Sequence, residues 1–344
     1  MMASRMRLAI LMLLAGCSGN LPPASFVDKL RVLAVKAEPP EVAPGETSSL
    51  SALVVEPPVT QLDGGSSPVS YLWTACKIPA GAAALTPCGL GTDALSAGLP
   101  PSCATAPNAD LCVIGVDPTA SYTPTAAVGA DGTGQWLISL TVADTPSGAV
   151  GCLMDAFANQ GQVLNPDHCI LALKRLAISV PGHLLSDGSQ APPNRNPSLA
   201  TFVLDQPDTT SASLLDGTAI FLTQPTDNPK TFALHATRSD DAAESYPSFD
   251  VDGKRTDVYE ALALSWFTTG GKLAAGRGAF DPPSCATQAQ CPTVLPGTEA
   301  HVDWTPPTDA DLASHSTDGS VKVWAVVRDD RGGVGWLEGR ALHQ

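Results

Sequence analysis

Between residues 136 and 142 the chain reads WLISLTV, with Trp136, Ile138, Leu140 and Val142 on one side of an alternation and Ser139 and Thr141 on the other. Side chains on a strand point to opposite faces in turn, whereas those on a helix return every 3.6 residues, so a period of two predicts a half-buried strand. The same period recurs in TSSLSALVV, through Ser48, Leu50, Ala52 and Val54, and in VSYLWTAC, through Val69, Tyr71, Trp73 and Ala75. HCILALKRLAISV, residues 168–180, alternates at its C-terminal end through Leu176, Ile178 and Val180. No amphipathic helix of a dozen residues interrupts the series. Strands with one apolar face must cover it, and two sheets packed face to face are the usual solution, so the predicted class is all-β.

The stretch SDGSQAPPNRNPS, residues 186–198, is polar and unpatterned and carries three prolines, which marks a boundary. It divides a first predicted domain at 28–181 from a second at 198–344, with 182–197 as linker. Beyond it LATFVLD, TAIFLTQ and TFALHAT each suit a strand, and the chain ends in a predicted hairpin. In that hairpin Val321, Val323, Ala325 and Val327 point inward, Asp329 to Gly333 turn, and Val334 to Leu342 return. Trp266 in a middle strand, the GKL after it, VDWTPP and VVRDDRGG together resemble bacterial immunoglobulin-like or PKD-like domains. The first half is similar more loosely, through PPEVAPGE, Trp73 and LTVAD. The resemblance implies two tandem Ig-like β-sandwich domains. It departs from antibody-type domains in that no cysteine pair straddles Trp73 or Trp266. Trp73, Trp136, Trp266 and Trp304 are expected in the cores.

At the N-terminus Arg5 and Arg7 precede the apolar run Leu8 to Leu14, which is far shorter than the roughly 20 residues a spanning helix needs. A basic start, a short apolar middle and small residues at its end make residues 1–16 a predicted signal peptide. Leu14-Ala15-Gly16-Cys17 resembles the bacterial lipobox. That resemblance implies a diacylglycerol on the Cys17 thiol, cleavage before it, and an amide-linked fatty chain such as palmitate on the new amino group. Two or more acyl chains anchor a protein stably. Ser18 is similar to the residue found there in lipoproteins sent to an outer membrane. Residues 17–27 would then be the lipidated cysteine and a tether of at most roughly 30 Å.

Removal of residues 1–16 takes two of the 19 basic residues and none of the 34 acids, leaving 17 against 34, a formal −17. Such a surface excludes nucleic acid as a partner class, because phosphate binding depends on basic groups that release counterions. Nine cysteines less Cys17 leave eight, and an even number in an exported chain reads as disulfides. Cys285 and Cys291 stand alone in the second half and are expected to pair; Cys152 with Cys169 is the next expected bridge. Cys76, Cys88, Cys103 and Cys112 would pair among themselves in an order that spacing leaves open. The last four fall in or beside residues 77–134, a stretch rich in Ala, Pro, Gly, Thr and Ser that reads as a long disulfide-stapled insertion on the first sandwich.

Two places offer ligand chemistry. FDVDGKRTD brings Asp250, Asp252 and Asp257 around Gly253, a weak Ca²⁺ candidate, since such sites take six or more oxygens and only three carboxylates are present. On the outer face of the last hairpin Lys322, Trp324 and Arg328 share a side with Trp336, and that face either packs on the first domain or under a loop, as large rings usually do, or offers two tryptophans among charges to stack on a sugar ring. Gly-x-Ser-x-Gly, His-Glu-x-x-His and Ser-x-x-Lys contexts are absent. The expectation is therefore a non-catalytic, lipid-anchored protein of the bacterial envelope, without a cofactor, that works as an interaction or structural module with envelope or surface proteins. The alternatives are a carbohydrate-binding module using Trp324 and Trp336, and a hydrolase whose paired carboxylates leave no sequence sign.

Overall fold

A computed structural model describes residues 23–56, 68–78, 99–107, 109–125, 133–159, 162–179, 184–185, 187–190, 192–205, 211–221, 230–316 and 318–344. Cys17, Ser18 and Cys88 lie outside the described residues. Strands dominate, as the period-two runs require. Among the described residues no helix is long and apolar enough to cross a membrane.

The first half contributes β1 (Arg31–Glu38), β2 (Glu41–Val42), β3 (Ser48–Val55), β4 (Ser70–Lys77), β5 (Leu111–Gly115), β6 (Ala120–Tyr122), β7 (Thr133–Ala143) and β8 (Cys169–Ser179). They form a sheet of order β1-β3-β6 facing one of order β2-β8-β7-β4-β5. Strand β2 has crossed over to run parallel beside β8, while the other pairings are antiparallel. The second half contributes β9 (Leu199–Asp205), β10 (Ser211–Ser213), β11 (Ala219–Phe221), β12 (Phe232–Arg238), a separate ribbon of β13 (Ser245–Phe249) and β14 (Arg255–Tyr259), then β15 (Ala263–Thr268), β16 (Lys272–Leu273), β17 (Arg277–Ala279), β18 (Glu299–Thr305), β19 (Ser320–Arg328) and β20 (Val334–His343). Its sheets have the orders β10-β9-β12-β18-β16 and β11-β20-β19-β15-β17, with β11 parallel to β20. The first half's connectivity is thus drawn a second time. In each half the early strands face the last two, and a short strand switches sheet to run beside the final one. That two-sheet Greek-key order is that of immunoglobulin-like sandwiches.

Each sandwich has its own core. Trp73, Ile138, Leu140, Val142 and Leu176 fill the first, with the Tyr122 and Trp136 rings 5.4 Å apart. Trp266, Trp304, Phe202 and Phe221 fill the second, alongside Val321, Val323, Ala325 and Val327 of the last hairpin. Two of the buried indoles keep a partner for the N–H, Trp73 donating to Asp117 O at 2.9 Å and Trp304 to Gly270 O at 3.0 Å, whereas the Trp266 N–H is buried without one. The turn that supplies the second carbonyl needs glycine. Gly271 has φ +76°, and a Cβ there would meet Thr305 O at 2.4 Å.

Two expectations are corrected here. Residues 77–134 are not wholly an irregular insertion. Within them β5 pairs with β4, β6 pairs with β3, and β7 begins at Thr133, so the stretch completes both sheets of the sandwich. Its short strands sit among Ser, Thr and Pro and so carry little apolar alternation to read. The second correction is a helix, α1 (Gly148–Ala158), between β7 and β8. Two glycines and the absence of a side-chain N-cap obscure it, but Ala149, Cys152, Leu153 and Ala156 make a buried stripe at helical spacing. That stripe covers Leu72 and Leu171 on the outer face of the larger sheet.

Cys152 on α1 is bridged to Cys169 at the start of β8, Cys103 to Cys112, and Cys285 to Cys291. Cys76 is also in a disulfide. The Cys152–Cys169 bridge spans 17 residues, a loop for which chain-entropy arguments give about 3 kcal/mol. Replacing both cysteines by alanine is expected to lower the free energy of unfolding by roughly 2–4 kcal/mol in denaturant titrations, while leaving the far-ultraviolet strand signal in place.

Candidate functional site

The outer face of the last hairpin, read as either a cover for the first domain or a sugar platform, lies at the joint between the two sandwiches. Strands β1 and β3 are apolar on both sides. Their inner residues enter the first core, while Leu33, Ala34, Leu53 and Val55 point away from it. On the other side of the joint β19 behaves alike, with Trp324 and Val326 facing outward from the second core. These two outward stripes pack together with Val27 and Val334, and the half-buried Phe267 and Trp336 close the edge. The hairpin register sets Trp324 opposite Glu338 and Trp336 opposite Val326, so the two indoles are diagonal neighbours. Trp324 is 1% exposed and donates to Glu338 Oε2 at 3.1 Å.

A sugar ring therefore has no platform here, because the first sandwich occupies it. Lys322 lies at the rim, 3.7 Å from Glu338 Oε1. Arg328 is turned across the joint, donating to Leu33 O at 2.7 Å and to Ser265 Oγ at 3.2 Å. Covering the face is the physically economical outcome, since a large aromatic left in water forfeits the burial of 150–250 Å² of ring surface.

The chain entering the first sandwich is also sewn to the second. Val27 N donates to Thr268 O at 2.8 Å and Thr268 N to Ser25 O at 2.9 Å, so residues 25–27 extend β15 as a short added strand. The Phe26 ring meets His315 edge-on at 5.2 Å, where His315 ends α2 (Asp309–His315). Residues 23–27 are thus folded rather than free tether. The linker is pinned in the same way. Asn196 accepts from Val334 N on the second sandwich and donates to Ala37 O on the first, at 2.8 and 2.7 Å.

Beside the apolar stripe lies a cluster of charges that no sequence motif announced. Arg331, in the β19–β20 turn, reaches Glu41 at 3.3 Å, Glu260 at 3.4 Å and Glu244 at 3.7 Å, and donates to Pro192 O at 2.8 Å. Its guanidinium also lies 5.3 Å from the centre of the Tyr246 ring. Glu41 in turn accepts from Asn194 N and from Ser179 Oγ. Asp329 Oδ1 accepts the backbone N–H groups of Arg331 and Gly333, which folds the turn. Lys174, buried on β8, donates to Gly332 O at the tip of that turn. The sequence signal for this cluster is the charged RDDRGG stretch closing the final hairpin.

Burial dominates the titration of these groups. Glu260 is 0% exposed, and burial, aided by Asp329 and Glu244 and opposed by Arg331, pushes its carboxyl up to about 7. Burial raises Asp329 as well, against its backbone hydrogen bonds. The Lys174 ammonium is pushed down to about 8 by burial, with Asp329 opposing. Several carboxylates therefore do meet in the folded chain. They meet around an arginine, with the most perturbed one closed to solvent, which is the arrangement of a structural ion cluster.

The Ca²⁺ candidate dissolves into separate roles. Asp250 Oδ1 accepts from the N–H groups of Asp252 and Lys254 and so caps its own turn, and Asp257 pairs with Arg255 at 2.9 Å. Among the described residues no group of three metal-ligating side chains converges on a common point.

No family model and no curated protein sequence matches the chain. Among solved structures, the Clostridium thermocellum CbhA fibronectin(III)-like modules are 11% identical, with 90% of this chain and 94% of that chain covered and a TM-score of 0.20. E. coli alpha-2-macroglobulin in its native conformation is 8% identical, covering 92% of this chain and 17% of that one at a TM-score of 0.22. Salmonella alpha-2-macroglobulin reacted with methylamine is 8% identical, covering 91% and 16% at 0.22. Agreement at that level does not superpose the chains, and the fold rests on the strand order given above.

Two outcomes follow for the joint. Trp324→Ala is expected to cost about 3–5 kcal/mol of stability, the range for a large aromatic removed from a packed interior, read in denaturant unfolding. The second concerns pH. A carboxyl held above its unfolded value of 4.5 binds its proton more tightly in the native state, so its contribution is fully present below 4.5 and is lost as pH rises through about 7. Lys174 acts in the opposite sense, restoring stability as pH climbs from about 8 towards 10.5. Thermal melts across pH 4–10 should show Glu260→Gln gaining on the native chain as pH passes from 5 to 8.

Proposed function

We propose that the chain is a lipid-anchored protein of a bacterial envelope, carrying its acyl chains on Cys17, that works without chemistry as a rigid interaction or structural module. The observation that carries the non-catalytic half of this reading is the joint. The aromatic face and the buried lysine are committed to contacts between the two sandwiches, and the one strongly perturbed carboxylate is closed off beside Arg331, which itself reaches across to Glu41. What such a body offers a partner is its remaining surface of sheet faces, the β13–β14 ribbon and end loops, on two sandwiches packed together at the joint. Its formal charge of −17 after Cys17 favours partners with basic or neutral surfaces among envelope proteins, and disfavours nucleic acid and bare anionic lipid. The anchor rests on the Leu14-Ala15-Gly16-Cys17 resemblance and the short apolar run before it, and Ser18 favours an outer membrane.

Mass spectrometry of the protein extracted from membranes tests the anchor. The expected N-terminal peptide begins at Cys17 with diacylglycerol and an amide-linked acyl chain, and Cys17→Ser should release the chain from the membrane fraction. A mature protein that begins elsewhere and lacks lipid overturns it. Crosslinking in intact envelopes tests the module: a reproducible protein partner, lost when exposed residues of the ribbon such as Val251 and Lys254 are changed to Glu, is the expected result.

A further inference from the structure

Two arginines stand beside the first described residues, at one rim of the joint. Arg31 Nη1 donates to Ala24 O at 2.6 Å. Arg277 follows Gly276, where a Cβ would stand 3.2 Å from Ser25 Cβ. Both side chains leave the joint face of their sheets, since Arg31 is paired directly with Val55 of the apolar stripe and Arg277 with Ser265, whose Oγ accepts from Arg328. Arg277 adds to burial in holding the Arg328 guanidinium below its usual range, so those two cations are neighbours. Among the described residues no carboxylate pairs with Arg31 or Arg277, although the chain carries 34 acids against 19 bases and Arg195, Arg255, Arg331 and Arg340 each have an acidic partner. Nearby acids are engaged elsewhere. Asp167 is taken by Lys29, Glu56 acts on Tyr71, and Asp28 has one oxygen buried.

We propose that this rim docks on the bilayer surface, with Arg31 and Arg277 contacting the phosphates of anionic lipid headgroups. The assignment rests on the lipid on Cys17 proposed above, because the length of chain between that lipid and the rim is what commits the occupant. From Cys17 to Pro23 the chain spans at most roughly 20 Å, so this rim is the part of the body held nearest to the bilayer. A guanidinium presents its N–H groups in a fork that matches phosphate oxygens, and it is the cation best suited to a headgroup that stays in place. The formal charge of the whole chain does not forbid the contact. Screening reduces it beyond about 8 Å at physiological salt, so the groups at the rim decide the interaction once the anchor has brought the surfaces together.

The test replaces the acyl anchor, so that a failed anchor and a failed rim give different results. The whole mature chain, with a histidine tag in place of residues 1–17, is held on vesicles that contain a nickel-chelating lipid. Binding is compared on phosphatidylcholine vesicles with and without phosphatidylglycerol. The Arg31→Gln, Arg277→Gln double variant should bind the phosphatidylglycerol vesicles about 25-fold more weakly than the native chain, at about fivefold per arginine, and should match it on phosphatidylcholine alone. Arg277→Glu, at an exposed position, should weaken binding at least about fivefold without lowering the melting temperature, which keeps the test open if the double variant misfolds. Lys254→Gln, on the ribbon turn, should leave binding unchanged. The proposal is overturned if native and double-variant chains bind the anionic vesicles alike. Saturable binding of inorganic phosphate to the same arginines in solution would also overturn it, by making the anion a soluble one.

Discussion

The contact on which the rest depends is the burial of one apolar stripe, Trp324 and Val326, under another, Leu33, Leu53 and Val55. A sheet that covers only one face leaves the other to water, and each sandwich here has a sheet with two apolar faces. The first finds its second cover in the other half of the chain. Once those stripes meet, the N-terminal segment, the linker and the β19–β20 turn are all brought within hydrogen-bonding reach, and each makes backbone-directed bonds across the joint. The apolar contact is unselective about register, and the polar bonds around it supply the register. Asn196 can satisfy Val334 N and Ala37 O together only in one relative placement of the sandwiches.

Arg331 shows how a polar cluster is tolerated next to that stripe. A half-buried guanidinium surrounded by three carboxylates loses part of its hydration, which its Coulomb attraction offsets best where its hydrogen bonds are filled, and here Pro192 O and the Tyr246 ring complete the set. The arrangement is asymmetric. Deleting the arginine would leave Glu41, Glu244 and Glu260 facing one another at the dry edge of the joint, so the cluster punishes separation more than it rewards assembly. That makes the placement of the sandwiches specific rather than merely favourable.

Much of the architecture was legible because alternation is a direct image of a sheet with one wet face. The runs at 48–54, 69–75 and 136–142 and the final hairpin appear as strands β3, β4, β7, β19 and β20. What alternation could not convey was the fate of the second face. In VWAVV, residues 323–327, and VLAV, residues 32–35, apolar residues follow one another without a polar partner. An uninterrupted run of that kind is the mark of a strand covered on both sides. Read as a one-sided strand, it left Trp324 looking outward, with cover by the first domain and a sugar platform as the two readings, and alternation alone does not choose between them. The helix α1 escaped for a different reason, since small residues and glycines weaken local propensity and its stability comes from the disulfide and from Leu72 and Leu171 beneath it. Of the charge cluster only the RDDRGG turn was legible, because Glu41, Glu260 and Arg331 are far apart in sequence and become neighbours only in the fold.

The pairing of residues 25–27 with Thr268 changes what a lipid on Cys17 would do. A tether running free to Val27 would let the first sandwich swing and keep the second remote. With Pro23 to Val27 already folded against the body, a lipid on Cys17 would be separated from it by a chain length of at most roughly 20 Å. The point of attachment then lies at the joint, shared by both bodies, rather than at one end of a flexible pair. A pull on the anchor would load the short strand on β15 and, through Val27, the apolar stripe itself. A lipid on Cys17, as proposed, would hold both sandwiches close to a bilayer, and the faces turned away from the joint would be those left for a partner.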